Sequence, residues 1–358
     1  MKKFFLFVAF LISVSYSADW ASIYHSLIAF DERPEIADAN RPGYVKPLAT
    51  SLGTVLNSNW ITSASIPKNF SFEAGMPFAL IFLSDDDREY ANGVPTIFGD
   101  KKYEWGVTSP EISCSATPNC HVVNGNKNLH NLGVFTYPYL QLGGSFYHAR
   151  LLFRGMLLPA ISELRSFNLF GFGLQYSFAH LFKEELPQIL QSFDISLGFG
   201  MNFSGISYRP ENYKGSLDLD ITTMSFMMVL GYKPIKALEL MLTISYETST
   251  MESGGHLKSE AEGSYGSEIF PTLSVDGDNG FRIGLSVAFS LGTSYHPVLG
   301  FDFGSKNAFT TNVLYFKQTF GKEEASVKKE PIKKNKVTIN EEKTSETSES
   351  NILTEDEK

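Results

Sequence analysis

Three groups of side chains in this chain could do chemistry. Cys114 and Cys120 lie close together in a Gly-, Asn- and Pro-bearing segment. In an oxidising compartment that spacing predicts a loop-clipping disulfide, whereas a metal centre needs more ligands than the neighbouring His121 supplies. Asp85, Asp86, Asp87 and Glu89 concentrate hard oxygen atoms that suit calcium. Their spacing is not that of a known calcium loop, so a solvated acidic loop is the competing reading. The third group is the histidines: His25, His121, His130, His148, His180, His256 and His296. A hydrolase working at lipid level would need a serine beside a histidine, oriented by a polar third group. Only His180 and His296 fall near strand ends, and neither shows such a set. No glycine-rich phosphate loop precedes a helix. The sequence predicts no enzyme, no cofactor and no metal.

The elements that would position these residues are short strands with a strict period of two. In the segment from Phe193 to Ser204, Phe193, Ile195, Leu197, Phe199, Met201 and Phe203 share one face. Asp194, Ser196, Gly198, Gly200, Asn202 and Ser204 share the other. A soluble sandwich usually carries Lys, Glu and Thr on its wet face; Gly and Ser there fit a membrane barrel, apolar to lipid and polar to the lumen. The same alternation recurs from Gly171 to Phe178 and from Phe281 to Leu291. Leu217, Leu219 and Ile221 hold one phase and Met224, Phe226, Met228 and Leu230 the other, which predicts a bulge near Thr223.

Eleven candidate strands follow: 60–65, 70–83, 132–142, 149–159, 167–181, 193–207, 217–232, 238–248, 281–291, 295–303 and 308–320. Barrel strand counts are normally even, so about twelve are expected, within ten to fourteen. The missing strand would lie between Trp20 and Asn57 or in the second long loop. Links at 67–69, 143–148, 233–237 and 292–294 are short, and those at 84–131 and 249–280 are long. Tracing back from a final strand ending in the periplasm places both long loops outside.

The ends are different material. Lys2 and Lys3, the apolar run Phe4–Val14 and small Ser15 and Ser17 read as a signal peptide, residues 1–17. Residues 18–57 hold Asp31, Glu32, Arg33, Pro34 and Glu35, which would be costly in hydrocarbon. They read as a lumen plug or as a periplasmic extension, with 20–30 and 47–56 as short amphipathic helices or coil. Residues 58–320 are the expected barrel. Residues 321–358 combine a lysine cluster with many acidic residues and read as a disordered charged tail, a periplasmic tether or an unselective solvated end. Leu314, Phe316 and Phe320 resemble the terminal-strand signal recognised by the barrel-assembly machinery.

The chain is 43% hydrophobic and 14% aromatic, yet its mean hydropathy is −0.09, because alternation hides a membrane strand. A net charge of −9 argues against a nucleic-acid partner.

Tyr44, Pro47, Leu48, Leu52, Gly53, Asn57 and Trp60, with Gly155, Leu158, Pro159, the run Phe170–Leu174 and Asn279–Arg282, resemble a family of uncharacterised outer-membrane proteins. That family is in turn similar to the long-chain fatty-acid transporters. The resemblance covers 44–320 and implies an outer-membrane barrel with an N-terminal plug, passing a small hydrophobic molecule. It assigns no substrate or binding residue. Asp194, Asp218, Asp220 and Arg282 are the charges read as inward, too few for the charged rings of an open porin. Gly171, Gly173, Gly198, Gly200 and Gly284 leave room beside the wall. A barrel that only anchors external loops and a periplasmic tail is the alternative.

Overall fold

The computed structural model describes residues 34–90, 93–105, 121–126, 130, 133–137, 139–158, 164–181, 187, 190–209, 213–259 and 267–320. The signal segment, Cys114, Cys120 and the charged tail lie outside the described residues. Fourteen hydrogen-bonded segments form one sheet. Four strands are each interrupted once, so the wall has ten. They are β1 (Ser71–Gly75 and Phe78–Phe82), β2 (Val134–Thr136 and Leu140–Phe146), β3 (Ala149–Leu158), β4 (Leu164–Ser177) and β5 (Phe193–Tyr208). The rest are β6 (Tyr213–Ile235), β7 (Leu238–Ser259), β8 (Ser267–Asp276 and Gly280–Phe289), β9 (Val298–Phe303) and β10 (Ala308–Asn312 and Phe316–Thr319).

Every strand pairs antiparallel with its two neighbours, and the ring closes. The first half of β1 lies between β10 and β2, and its second half pairs with the other halves of the same two strands. The row leaving Phe146 of β2 passes Ala149, Tyr176, Leu197, Met228, Ile244, Ile283 and Phe303. It returns through Phe82 to Val134, displaced along the strand on which it began. Such a displacement accompanies tilted strands in a closed barrel.

Ten strands correct the expectation of a missing one. The segment 60–65 is not in the wall: it runs down the lumen with no strand partner, and the remaining ten candidates are the ten strands. The second long loop extends β7 and β8 rather than adding a strand. The stretch before the barrel is a helix, α1 (Pro34–Asn57). Pro34 suits a first turn, where no N–H bond is lost, and Asn59, at φ 58°, stands in the left-handed conformation that ends helices. Tyr44, Val45, Leu48, Ala49, Leu52, Val55 and Leu56 are buried, and so are Thr50, Ser51 and Thr54. From Leu48 to Leu56 every residue is buried, so this stretch of the helix fills a space rather than covering one, which corrects the amphipathic expectation for 47–56.

Polarity of the wall changes with height. Low on β4–β7, Phe170, Leu174, Leu197, Phe226 and Leu240 face outward and exposed, the arrangement of a wall bathed in lipid. Higher up the phase inverts: Phe167, Leu169, Leu217, Leu219, Ile221 and Met251 turn inward and are buried, most of them in the cluster that holds α1, while Asp220 and Glu252 face out. The β5–β6 register runs unbroken from Phe193↔Tyr232 to Tyr208↔Leu217, so there is no bulge at Thr223. The apolar phase switches because the wall leaves lipid for water there, while the lumen becomes the apolar side. Aromatic pairs Phe70–Phe320 (5.8 Å) and Phe193–Tyr232 (4.7 Å) mark the short-turn edge, where aromatic girdles sit.

Candidate functional site

The site is the lumen, occupied by residues 44–66. Helix ends leave carbonyls without helical partners, and positive charge is favourable there; the wall meets both needs at the foot of α1. Arg154 on β3 donates to Leu56 O (2.5 Å) and Ser58 O (2.7 Å). Asn202 on β5 donates to Leu56 O at 2.9 Å and Tyr139 to Ser58 O at 3.0 Å. From the opposite wall Arg282 on β8 donates to Ser58 Oγ (2.8 Å) and Thr54 O (3.3 Å). Arg282 is itself bridged to Glu247 (2.5 Å) and Asp302 (3.5 Å).

Below, a second network holds the descending chain. Arg150 reaches Gln175 (2.9 Å) and Glu73 (3.5 Å), and Gln175 donates to Ser63 O at 2.9 Å. Glu239 accepts from Ser63 Oγ (2.7 Å) and Ala64 N (2.9 Å). Tyr315, set inward at the break in β10, donates to Glu73 at 2.5 Å and accepts from Thr62 at 3.0 Å.

Trp60 occupies the centre and is 1% exposed. The Arg154 guanidinium lies 3.6 Å above its ring, within cation–π range. Gly173 and Gly200 form the wall behind it; a Cβ on Gly173 would come within 2.8 Å of the ring. Gly198 meets Ile61 and Gly231 meets Ala64 in the same way, at 2.7 and 2.6 Å. The room left by Gly173, Gly198 and Gly200 is therefore taken by the plug, while that beside Gly171 is taken by the wall's own Asn202.

On the β7–β10 side the fit is looser. A void of about 40 Å³ lies between the plug residues Asn57–Ile61 and Thr243, Ser245, Glu247, Arg282, Ser286 and Asp302. A second, of about 10 Å³, lies above the Arg282–Glu247 pair, against Thr50, Ser249, Asp278 and Ser305. A larger hollow, about 910 Å³, is on the outer face between β1 and β5, lined by Phe72, Leu142, Phe153, Leu174 and Leu197. It faces lipid, not the lumen.

Described residues of the long loop after β1 pack over the end of the lumen that holds Tyr44. Ile97, Phe98 and Val123 pack in the cluster that contains Tyr44, and Ile97 N donates to Tyr44 O at 3.0 Å. Asp87 is buried, accepts from Ser84 N and Oγ (2.8 and 2.9 Å) and pairs with Lys306. Its carboxylate thus fastens the loop to the wall, while Asp85 and Asp86 are exposed; among the described residues no group of three metal-ligating side chains occurs. His148 stacks on His180 at 3.9 Å, and its Nδ1 lies 3.0 Å from Ile66 O. His296 Nδ1 lies 3.1 Å from Ser290 Oγ, but among the described residues no carboxylate hydrogen-bonds to that ring.

Sequence reading placed Asp194 and Arg282 correctly inside, but Asp218 and Asp220 belong to the outward phase of β6, above the lipid-facing wall. It missed Glu73, Arg150, Arg154, Lys233, Glu239, Glu247 and Asp302. A signal for several was present: Arg150 and Arg154 alternate with outward Leu151 and Phe153, and Glu239 and Glu247 neighbour outward Leu240 and Tyr246.

Residues 1–297 match the model of a family described as "Family of unknown function (DUF6588)". No curated protein matches the chain. Among solved structures it is similar to the outer membrane protease OmpT from Escherichia coli, at 8% identity and TM-score 0.31, over 71% of this chain and 97% of that one. It is similar to the Pseudomonas putida toluene transporter TodX at 10% identity and TM-score 0.27, over 75% of each chain. The translocator domain of the autotransporter NalP from Neisseria meningitidis matches at 8% identity and TM-score 0.33, over 80% of this chain and 98% of that one. Likenesses this distant carry no argument about activity, which is a property of sites rather than folds.

Proposed function

We propose, for a chain that belongs to this family of unknown function, a plugged outer-membrane barrel that passes a small molecule passively when residues 44–66 shift. The observation that carries the reading is the chemistry of the plug–wall contact. Apart from the Trp60 and Ile61 contacts, it is carried in the lower and middle lumen by charged side chains of the wall and uncharged hydrogen-bonding groups of the plug, with Arg154, Arg282 and Asn202 holding the carbonyls of 54–58. A permanent filler would be served as well or better by packed apolar residues, because buried ions carry a desolvation cost. Surfaces that are polar on both sides can separate into water with little loss.

The cargo we assign is a small hydrophobic compound that carries a hydrogen-bonding group. It would enter among the apolar contacts of Val45, Leu48 and Leu52 at the outer mouth and then cross the polar belt of Arg154, Arg282, Glu247 and Asp302. The outer membrane is the proposed location, supported by the apolar outer wall, the even strand number and the export signal read at 1–17. The long-loop end is taken as external, and assembly is assigned to the barrel-assembly machinery through the Phe316–Phe320 end.

An anchoring barrel with no transport role is favoured by one observation, that the voids described beside the plug are small, about 40 and 10 Å³. Deleting residues 18–57 separates the two. A plugged conduit gains conductance in planar bilayers and loses selective uptake, whereas an anchor assembles as before and stays electrically silent. Free ion conduction by the intact protein would sink the plug.

A further inference from the structure

The two lumen voids share Asn57, Glu247 and Arg282 and sit one above the other against β7–β10. The upper one is bounded by Ser305 and Asp278, both exposed toward the long-loop end. The lower one reaches down to Trp60. One water needs roughly 10–15 Å³ of such space, so the lower void takes about three or four waters and the upper one at most one. Asn57, which lines both, has its Oδ1 buried without a hydrogen-bond partner, the kind of group that ordered water satisfies. The wall along both voids is a run of small hydroxyl side chains: Thr243, Ser245, Ser249, Ser286 and Thr310.

We propose that this flank is a narrow wet seam for water and small monovalent cations, running beside the seated plug and shut at two points. The upper barrier is Arg282, which is bridged to Glu247 and Asp302 and so occupies the neck between the voids. The lower barrier is dry: Ile61 packs with Val229, Met241 and Val298 beneath the lower void. Hydrophobic constrictions of this kind gate by dewetting. The seam's charge sets its selectivity. Asp278 is already paired with Lys46 at 2.8 Å, which leaves Glu247 and Asp302 bridged to one cation, Arg282, with Arg154 farther off across Ser58. Neutralising Arg282 leaves an acidic neck, and acidic rings favour cations.

The seam deepens the plugged-barrel reading but needs no plug movement, so the two can fail separately. The test uses the full chain in planar bilayers, with Cys114→Ser and Cys120→Ser as background. Wild type is expected to be silent, Arg282→Gln and Val298→Ser each to conduct weakly, and the double variant to conduct with a reversal potential close to that of potassium. Ser286→Cys added to the double variant should let silver ions block the current, while a bulky methanethiosulfonate reagent leaves it intact. A silent double variant that still shows heat-modifiable migration overturns the seam, and so does an unselective current. Block by the bulky reagent also overturns it, because the plug has then left the lumen; that result supports plug displacement instead. Should the double variant fail to fold, silver labelling decides in its place. Ser249→Cys, above Arg282, should react readily, and Ser286→Cys, below it, only when Arg282→Gln is added. Equal reactivity at both sites overturns the proposal.

Discussion

The two flanks of the plug are built differently. Toward β3–β5 the wall supplies glycines at 173, 198 and 200, and the plug supplies a tryptophan and an isoleucine that fill the space they leave. Arg154 then covers the Trp60 ring and ties down two carbonyls at once. Toward β7–β10 the wall supplies serines and threonines, the contact contains voids, and beside those voids the charged tie is one ion-paired arginine, with Glu239 and Tyr315 holding the chain below. Close packing forfeits little dispersion energy on the first side, and hydroxyl-lined space tolerates water on the second. A body held tightly on one side and loosely on the other has a preferred direction in which to yield.

The largest expected effect is on the tight flank. Trp60→Ala should cost about 3–5 kcal/mol, the range for a buried aromatic truncated beside walls that cannot collapse. The midpoint of heat-modifiable gel migration in detergent reads it; a loss under about 1 kcal/mol would mean the Trp60 contact is not tight. Arg154→Ala removes the charged donor from the carbonyls of Leu56 and Ser58, leaving each with its neutral partner, Asn202 or Tyr139, and should cost about 1–3 kcal/mol in all, by the same measurement. It should also raise conductance, since the foot of the helix loses its anchor on that side.

Gly200→Val should be next, at about 1–3 kcal/mol for overpacking. Combining it with Trp60→Leu should recover part of that loss, because the smaller side chain makes the room that the valine needs. Strict additivity of the two changes would show that Gly200 is not there for Trp60. The smallest effect belongs to the loose flank: Ser286→Ala should shift the melting midpoint by no more than about 0.5 kcal/mol. A loss comparable to that of Gly200→Val would erase the distinction between the flanks.

The wall was largely legible in the sequence, and the plug only in outline. Ten of the eleven candidate strands stand in the barrel, because period-two alternation is enforced residue by residue wherever lipid lies on one side. Residues 60–65 looked like a strand for a related reason. They too run extended, with Trp60 and Thr62 buried, but their surroundings are the inner wall on every side, and a short extended segment carries no mark of that. The inversion on β6 was visible and misassigned to a bulge. Leu217, Leu219 and Ile221 change phase with Met224, Phe226 and Met228 because their partners change, from α1 to lipid, while the register does not.

By itself the sequence determined the alternation, the succession of short turns and long loops, and the inward glycines, since each depends on neighbours one or two positions away or on turn chemistry. Which charges meet was decided only by closure of the barrel. Glu73 and Arg150, Glu247 and Arg282, and Arg154 and Leu56 are brought together from different strands or from plug and wall, and no local pattern relates their positions. A ten-stranded ring with its own N-terminal segment inside sets those partners all at once, because the strand tilt fixes which residues face one another across the lumen.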